Sequence, residues 1–290
     1  MSIAIEAPRK SARSRTLTYW LRRYPLFILG CIGLAVIILL ALFAPLIATH
    51  DPVAINPAAR LRPPSDAWLF GSDPFGRDVF SRVIWGGRVS LTVGIGVAAL
   101  SVCLGLAIGM IAGFNRIADA VLMRIMDGMM AIPGILLAVA LVAIVKPSVT
   151  TVVIAIAIPE VPRVVRLVRS VVLSIREQPY IEAARLSGVR FPGLLIRHVL
   201  PNTIAPLIVQ ASFVCASAIL SEAYLSFLGL GIPPTTPTWG SVISEGRNVV
   251  QLAFWVVLYP SLFLGATVLF INLIGDGLRD MLDPRLARTL

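Results

Sequence analysis

Apolar residues in this sequence come in long unbroken blocks, not in the short alternation of a half-buried strand. From Tyr24 to Thr49 no residue is charged. A helix needs about 20 apolar residues to cross roughly 30 Å of hydrocarbon, so this block predicts a first span over 24–49. Its basic flank (Arg9, Lys10, Arg13, Arg15, Arg22, Arg23) would suit a signal peptide, but the block outlasts an apolar region of about 7–15 residues. It is read as a retained span. Arg88 and Arg116 enclose the second. The third runs from about Ala120 to Val145, with Asp127 near its start, and Pro147 and Ser148 turn the chain. The fourth begins near Val149 and carries Glu160, Arg163, Arg166 and Arg169. A fifth covers about Thr203 to Leu225, and a sixth about Val250 to Gly275. The pattern predicts an all-α membrane protein with six transmembrane helices.

Composition agrees. Of 290 residues, 57% are hydrophobic and 14% charged, where soluble domains run near a quarter charged. A net charge of +10 could suggest nucleic acid. The arginines, however, stand at the ends of apolar blocks, as in a protein that fixes its orientation in lipid, so membrane lipid is the expected partner and nucleic acid is not. An even number of spans puts both termini on one side. That side gathers the six N-terminal basic residues, Arg116 and Arg124. It also takes Arg163, Arg166, Arg169, Arg176, Arg185, Arg190 and Arg197, and then Arg279, Arg285 and Arg288, which makes 18 of the 25 basic residues. By the positive-inside rule the termini and the long polar connection are cytoplasmic, in a multi-pass chain. The expected organisation is a basic cytoplasmic N-terminus (1–23), the first span, and an external periplasmic loop (50–85). A five-helix core (86–277) with a cytoplasmic connection at 177–202 follows, and then a cytoplasmic tail (278–290).

Ser101, Gly105, Gly109 and Gly113 recur every four residues in the second span and predict a smooth face for close helix packing. Pro133, Pro159, Pro162, Pro206 and Pro260 each remove a backbone donor in or near a span, which a bundle tolerates when neighbours satisfy the freed carbonyls. In the connection, Ile181 to Leu186 predict a short helix that Gly188 stops. A second is expected to begin near Pro192 and to end at Pro201, before the fifth span. A helix this short is marginal alone in water, so a partner protein is expected to receive it.

Glu182-Ala183-Ala184, three residues, Gly188, nine residues and His198-Val199-Leu200-Pro201 resemble the EAA signature of bacterial ATP-binding-cassette import permeases. The family pattern often has Ile where His198 stands, and the peptide-importing branch commonly has His. Phe70-Gly71-Ser72-Asp73-Pro74-Phe75-Gly76-Arg77-Asp78-Val79-Phe80-Ser81-Arg82 is similar to the G-[ST]-D-x-x-G-R-D segment of C-type dipeptide and oligopeptide permeases. Leu225 to Gly231, Pro237-Thr238-Trp239-Gly240 and Gly275 to Asp280 match the same branch. The resemblance implies a type I ABC importer permease fold in a bacterial inner membrane. It also implies a coupling helix in which Glu182, Ala183, Ala184, Gly188, His198, Leu200 and Pro201 meet an ATPase. The implied partners are a second, B-type permease, two ABC ATPase subunits carrying ATP and Mg, and a periplasmic or lipid-anchored substrate-binding protein. Cargo would be a dipeptide or oligopeptide, with glutathione or nickel as alternatives in related branches. No cofactor or metal is expected on this chain.

Other patterns have blander readings. Thr92-Val93-Gly94-Ile95-Gly96 looks like a potassium filter but lies inside a full-length span. Arg163, Arg166 and Arg169 are spaced like a voltage sensor, yet fall where a solvated or headgroup-facing extension is expected. Asp73 and Asp78 lack the alternation of a calcium loop, and Arg77 is expected to pair beside them in a folded loop that contacts a partner. Ionisable residues within spans are functional candidates by default. Asp127, Glu160 and Glu222 could relay protons, which would make the chain a stand-alone secondary transporter. The structural readings pair Asp127 with Arg124 and Glu160 with Arg163, while Glu222 is open between lining the path and a packing hydrogen bond. Cys31, Cys103 and Cys215 lie in apolar blocks with no CxxC spacing, and His50 and His198 are isolated. There is no Walker A loop, GxSxG elbow or HExxH helix, so the chain is not read as an enzyme.

Overall fold

The computed structural model describes residues 24–282. The basic residues at positions 9–23 and those at 285 and 288 lie outside the described residues. The described residues form helices and turns, with two isolated bridges in the loop before residue 79.

Helix α1 (Pro25–Leu42) ends where Pro45 enters, and the chain continues in the short α2 (Ala44–Ile47). Along α1, Gly33 lets Phe270 approach so closely that a methyl group there would sit 2.4 Å from the ring. Helix α3 (Val79–Phe114) starts well before the Arg88 boundary expected from charge. Its cap explains why: Asp78 accepts from the Ser81 amide at 2.9 Å. At 1.5 Å per residue, its 36 residues reach about 54 Å, more than a bilayer core requires.

The expected third span is broken. Helix α4 (Arg116–Met130) and helix α5 (Gly134–Ile144) meet at 87° across Ala131–Pro133. Pro133 cannot donate to a helix, and the residue before a proline is pushed out of the helical region. Helix α6 (Val149–Arg176) holds Pro159 and Pro162 inside it and buries one face of Val152, Ile156, Val164, Val168 and Val172. The small face of α3 meets that valine ridge. A methyl group on Gly105 would lie 2.5 Å from Val164, on Gly109 2.7 Å from Val168, and on Gly113 2.5 Å from Val172. Ser101 donates to the Ala157 carbonyl at 3.3 Å.

After α7 (Pro179–Leu186) and α8 (Phe191–Leu194), a π-turn at Leu195–Val199 runs straight into α9 (Leu200–Phe227). Pro201 therefore does not close a helix. It sits in the first turn of α9, where its missing donor costs nothing. Helix α10 (Trp239–Gly246) begins in a capping box of Thr238 and Ser241, and α11 (Trp255–Leu282) follows, five residues later than the Val250 start expected from hydropathy.

Four stretches are long and apolar enough to cross a membrane: Pro25–Leu42, Val79–Phe114, Leu195–Phe227 and Trp255–Leu282. The bent pair α4–α5 makes a fifth if it counts as one span. The outer surface is strongly apolar, with Leu26 60%, Ile32 59%, Ile117 80% and Ile144 82% exposed. Such a surface suits lipid or another membrane subunit and not water.

Candidate functional site

Three groups of the singled-out residues can be placed. The first is the connection after α6. Helix α7 is anchored by Ile181, fully buried, while Glu182 and Ala183 are exposed, Ala184 is half-buried and Leu186 is 90% exposed. Gly188 adopts φ +80, with nothing within 4 Å of where a side chain would begin. Its conformation, not crowding, demands glycine there. The turn is closed by the Val189 amide donating to the Ala184 carbonyl at 3.1 Å. His198 lies beside Tyr180, with ring centres 6.3 Å apart, and its carbonyl accepts from Asn202 Nδ2 at 2.6 Å. Leu200 and Pro201 continue into α9. The segment is thus a small hairpin of helix with a buried root and an exposed tip.

The second group is the loop at 49–78. Asp73 is completely buried and its Oδ1 accepts from the amides of Phe75 at 2.7 Å and Arg77 at 2.9 Å. Its Oδ2 accepts from Arg77 Nε at 2.6 Å and from Arg82 Nη1 at 2.5 Å. Both arginines also reach Glu245 on α10, Arg82 at 2.6 Å, and Arg77 more closely still. Gly76, at φ +72, faces the Asn56 carbonyl, which would lie 1.8 Å from an added methyl. Gly71, at φ +76, leaves room for the Trp255 ring, whose Nε1 donates to the Ser72 carbonyl at 3.2 Å. Asp78 caps α3 and accepts from Thr49 Oγ1 at 2.9 Å. The expected pairing of Arg77 is present, and the motif's first task is internal: it fastens the loop to α10 and α11.

The third group comprises the acids on the membrane-depth helices. Glu222 is fully buried and accepts from Ser226 at 2.7 Å, Thr238 at 2.8 Å and Ser90 at 3.3 Å. It is a packing hydrogen-bond centre that joins α3, α9 and the start of α10. Glu160 accepts from Arg163 Nη1 at 3.2 Å, as expected, and also from Ser217 Oγ at 3.3 Å. Asp127 does not pair with Arg124. Its partner is Arg166, at 2.5 Å across to α6. Arg169 grips Asp119 with two nitrogens, one at 2.6 Å. The three arginines each hold a carboxylate, with side chains still 59%, 47% and 32% exposed. Glu160, Arg163, Ser217 and Ser221 line a cavity of about 330 Å³ that opens at the break between α4 and α5.

Sequence reasoning missed Glu245 and Asp119. Arg82 stood at the end of the loop stretch that carries the resemblance, but with no role assigned to it. Glu245 and Asp119 carry no local signal, since each acts on a partner far away in the chain.

A helical bundle coated in apolar side chains, with four stretches able to cross a bilayer, has the architecture of an integral membrane protein. The comparisons specify it. Residues 105–288 match the family model described as binding-protein-dependent transport system inner membrane component. Residues 18–64 match the N-terminal TM domain of oligopeptide transport permease C. The chain is 49% identical, over 99% of each chain, to the "Probable peptide ABC transporter permease protein y4tQ" of Sinorhizobium fredii. It is 45% identical to the "Dipeptide transport system permease protein DppC" of Alkalihalophilus pseudofirmus, covering 92% of this chain and 88% of that one. It is also 45% identical to the "Di/tripeptide transport system permease protein DppC" of Pseudomonas aeruginosa, covering 89% and 87%. The chain belongs to the family of binding-protein-dependent transport system inner membrane components, the permease subunits of ABC importers.

Proposed function

We propose that this chain is the C-type permease of an ATP-driven peptide importer. It crosses the inner membrane six times, with α6 as the span that the charges disguise, and both termini are cytoplasmic. The observation that carries this reading is the hairpin at 179–188, which exposes Glu182, Ala183 and Leu186 around a left-handed Gly188. Small residues on an exposed helix with a buried root suit insertion into a cleft of another protein, and an ATPase subunit is that protein. Two such ATPases, holding ATP and Mg, would dock on this chain and on a second permease; this chain itself binds no cofactor and catalyses nothing. Closing of the ATPase pair then biases the spans between two arrangements. A substrate-binding protein delivers cargo on the opposite side, where the loop fastened by Asp73 and Arg77 stands. Cargo is a short peptide, in keeping with the names of the relatives.

Affinity purification of the chain from its native membrane tests this assembly. Recovery of a second permease and ATPases, with ATP-dependent peptide uptake after reconstitution, is the expected result. Isolation of the chain alone, active on a proton gradient, would refute it.

A further inference from the structure

The cavity at the α4–α5 break holds a buried carboxylate that its neighbours grip only loosely. Glu160 is only 8% exposed, yet its arginine pairing is the loosest among the described residues. Arg163 contacts it at 3.2 Å, whereas every other arginine–carboxylate pair among the described residues closes to 2.6 Å or less. Charge-assisted bonds normally fall near 2.7–2.9 Å, so this contact is easily given up. The Arg163 side chain is 59% exposed and can turn away, whereas the Glu160 side chain, at 11%, cannot follow. On the opposite wall stand Met129 and Met130, the last residues of α4. Carbonyls at a helix C-terminus carry partial negative charge and favour a cation. Pro133, Gly134 and Ile135 open the next helix on the same cavity, and the N-terminus of α5 supplies the opposite polarity. Broken helices that present ends of opposite sign are suited to zwitterions.

We propose that this cavity is a transit site for the free ammonium group of a peptide, with Glu160 as its counter-ion and Arg163 as the cation it displaces. Ser217 and Ser221 supply neutral contacts on the α9 side, and the two methionines a yielding apolar wall that accepts varied side chains. This inference rests on the peptide reading above. At 12 residues into the 28-residue α6, Glu160 lies near mid-helix, far from either end.

The test introduces Ser221→Cys and follows its modification in membrane vesicles that contain the assembled transporter, with the labelled residue located by mass spectrometry to separate it from Cys31, Cys103 and Cys215. Two thiol reagents of fixed opposite charge are compared, 2-(trimethylammonium)ethyl methanethiosulfonate, a cation, and 2-sulfonatoethyl methanethiosulfonate, an anion, each rate divided by that with free 2-mercaptoethanol. After that normalisation the cation is expected to react faster by about tenfold or more, the lower range for a focused charge. A Glu160→Gln variant should reverse the preference, since Arg163 then remains alone. A dipeptide should protect the cysteine and an N-acetylated dipeptide should not. Equal rates for the two reagents, or a preference that Glu160→Gln leaves unchanged, would overturn the site, whether or not peptide is imported. A cation preference in vesicles that import no dipeptide on ATP would overturn the peptide reading alone and leave the ammonium site standing.

Discussion

Arg82 faces Asp73 at 2.5 Å, with both side chains wholly withdrawn from solvent. The pair lies between the loop and α10, so it connects two regions more than 150 residues apart through Glu245. Breaking a buried ion pair strands one charge and costs about 3–5 kcal/mol. Arg82→Ala should therefore free the loop while the spans stay inserted. Trypsin cleavage at the exposed Arg60 reads this directly, and should be much faster in the variant than in wild type. A variant as resistant as wild type would mean that the loop is held by other contacts.

Gly105→Leu should push α3 from α6, because even a methyl would fall 2.5 Å from Val164. Overpacking of this kind costs about 1–3 kcal/mol. A lowered melting temperature in detergent, partly restored by adding Val164→Ala, is the expected result. Absence of rescue would place the damage elsewhere.

Glu222 separates acceptor chemistry from charge. Glu222→Gln keeps the Oε1 that Ser226 and Thr238 use and should be tolerated. Glu222→Leu leaves three hydroxyls without an acceptor, at about 1–3 kcal/mol for each buried group. Thermal stability should fall for Leu and hold for Gln; uptake lost in both alike would instead argue for a role in the path.

Gly188→Pro and Glu182→Lys are expected to uncouple ATP hydrolysis from uptake while the subunit still inserts. The first removes the left-handed turn and its Val189 closure, and the second reverses an exposed charge at the hairpin. ATPase rate and peptide uptake should be measured on the same vesicles. Normal uptake by an inserted Gly188→Pro chain would remove this hairpin from the transmission path.

Asp127 and Arg166 are about half exposed, at 58% and 47%. Exposed pairs contribute about 0–1 kcal/mol. Asp127→Asn should shift the melting temperature very little, less than Asp119→Asn, whose partner Arg169 is better shielded. The reverse order would mean that the α4–α6 contact bears most of its load near the break.

Much of this was legible from sequence, for physical reasons. The glycine spacing of the second span announced a close contact, and only the partner, the valine ridge of α6, needed three dimensions. The stop at Gly188 followed from its identity, and the Glu160–Arg163 pairing from a spacing of three on a helix. Long-range pairs were not legible. Asp127 chose Arg166 over the nearer Arg124, and nothing local distinguishes the two. The break at Pro133 was signalled by the proline, but its 87° angle is set by packing. The late start of α11 reflects a turn at 250–254, Val-Gln-Leu-Ala-Phe, that is nearly as apolar as the helix after it.

Helix α6 joins two of these features in one piece. Below Val164 its valines are locked against glycines that leave no slack, and at its end it passes directly into the exposed hairpin. Above, Pro159 and Pro162 omit two backbone bonds beside Glu160. The result is a stiff arm of about 24 Å from Glu160 to Arg176, with its softest joint at the acid. If the hairpin is displaced, this arrangement would carry the movement along α6 and release it as a bend beside the cavity.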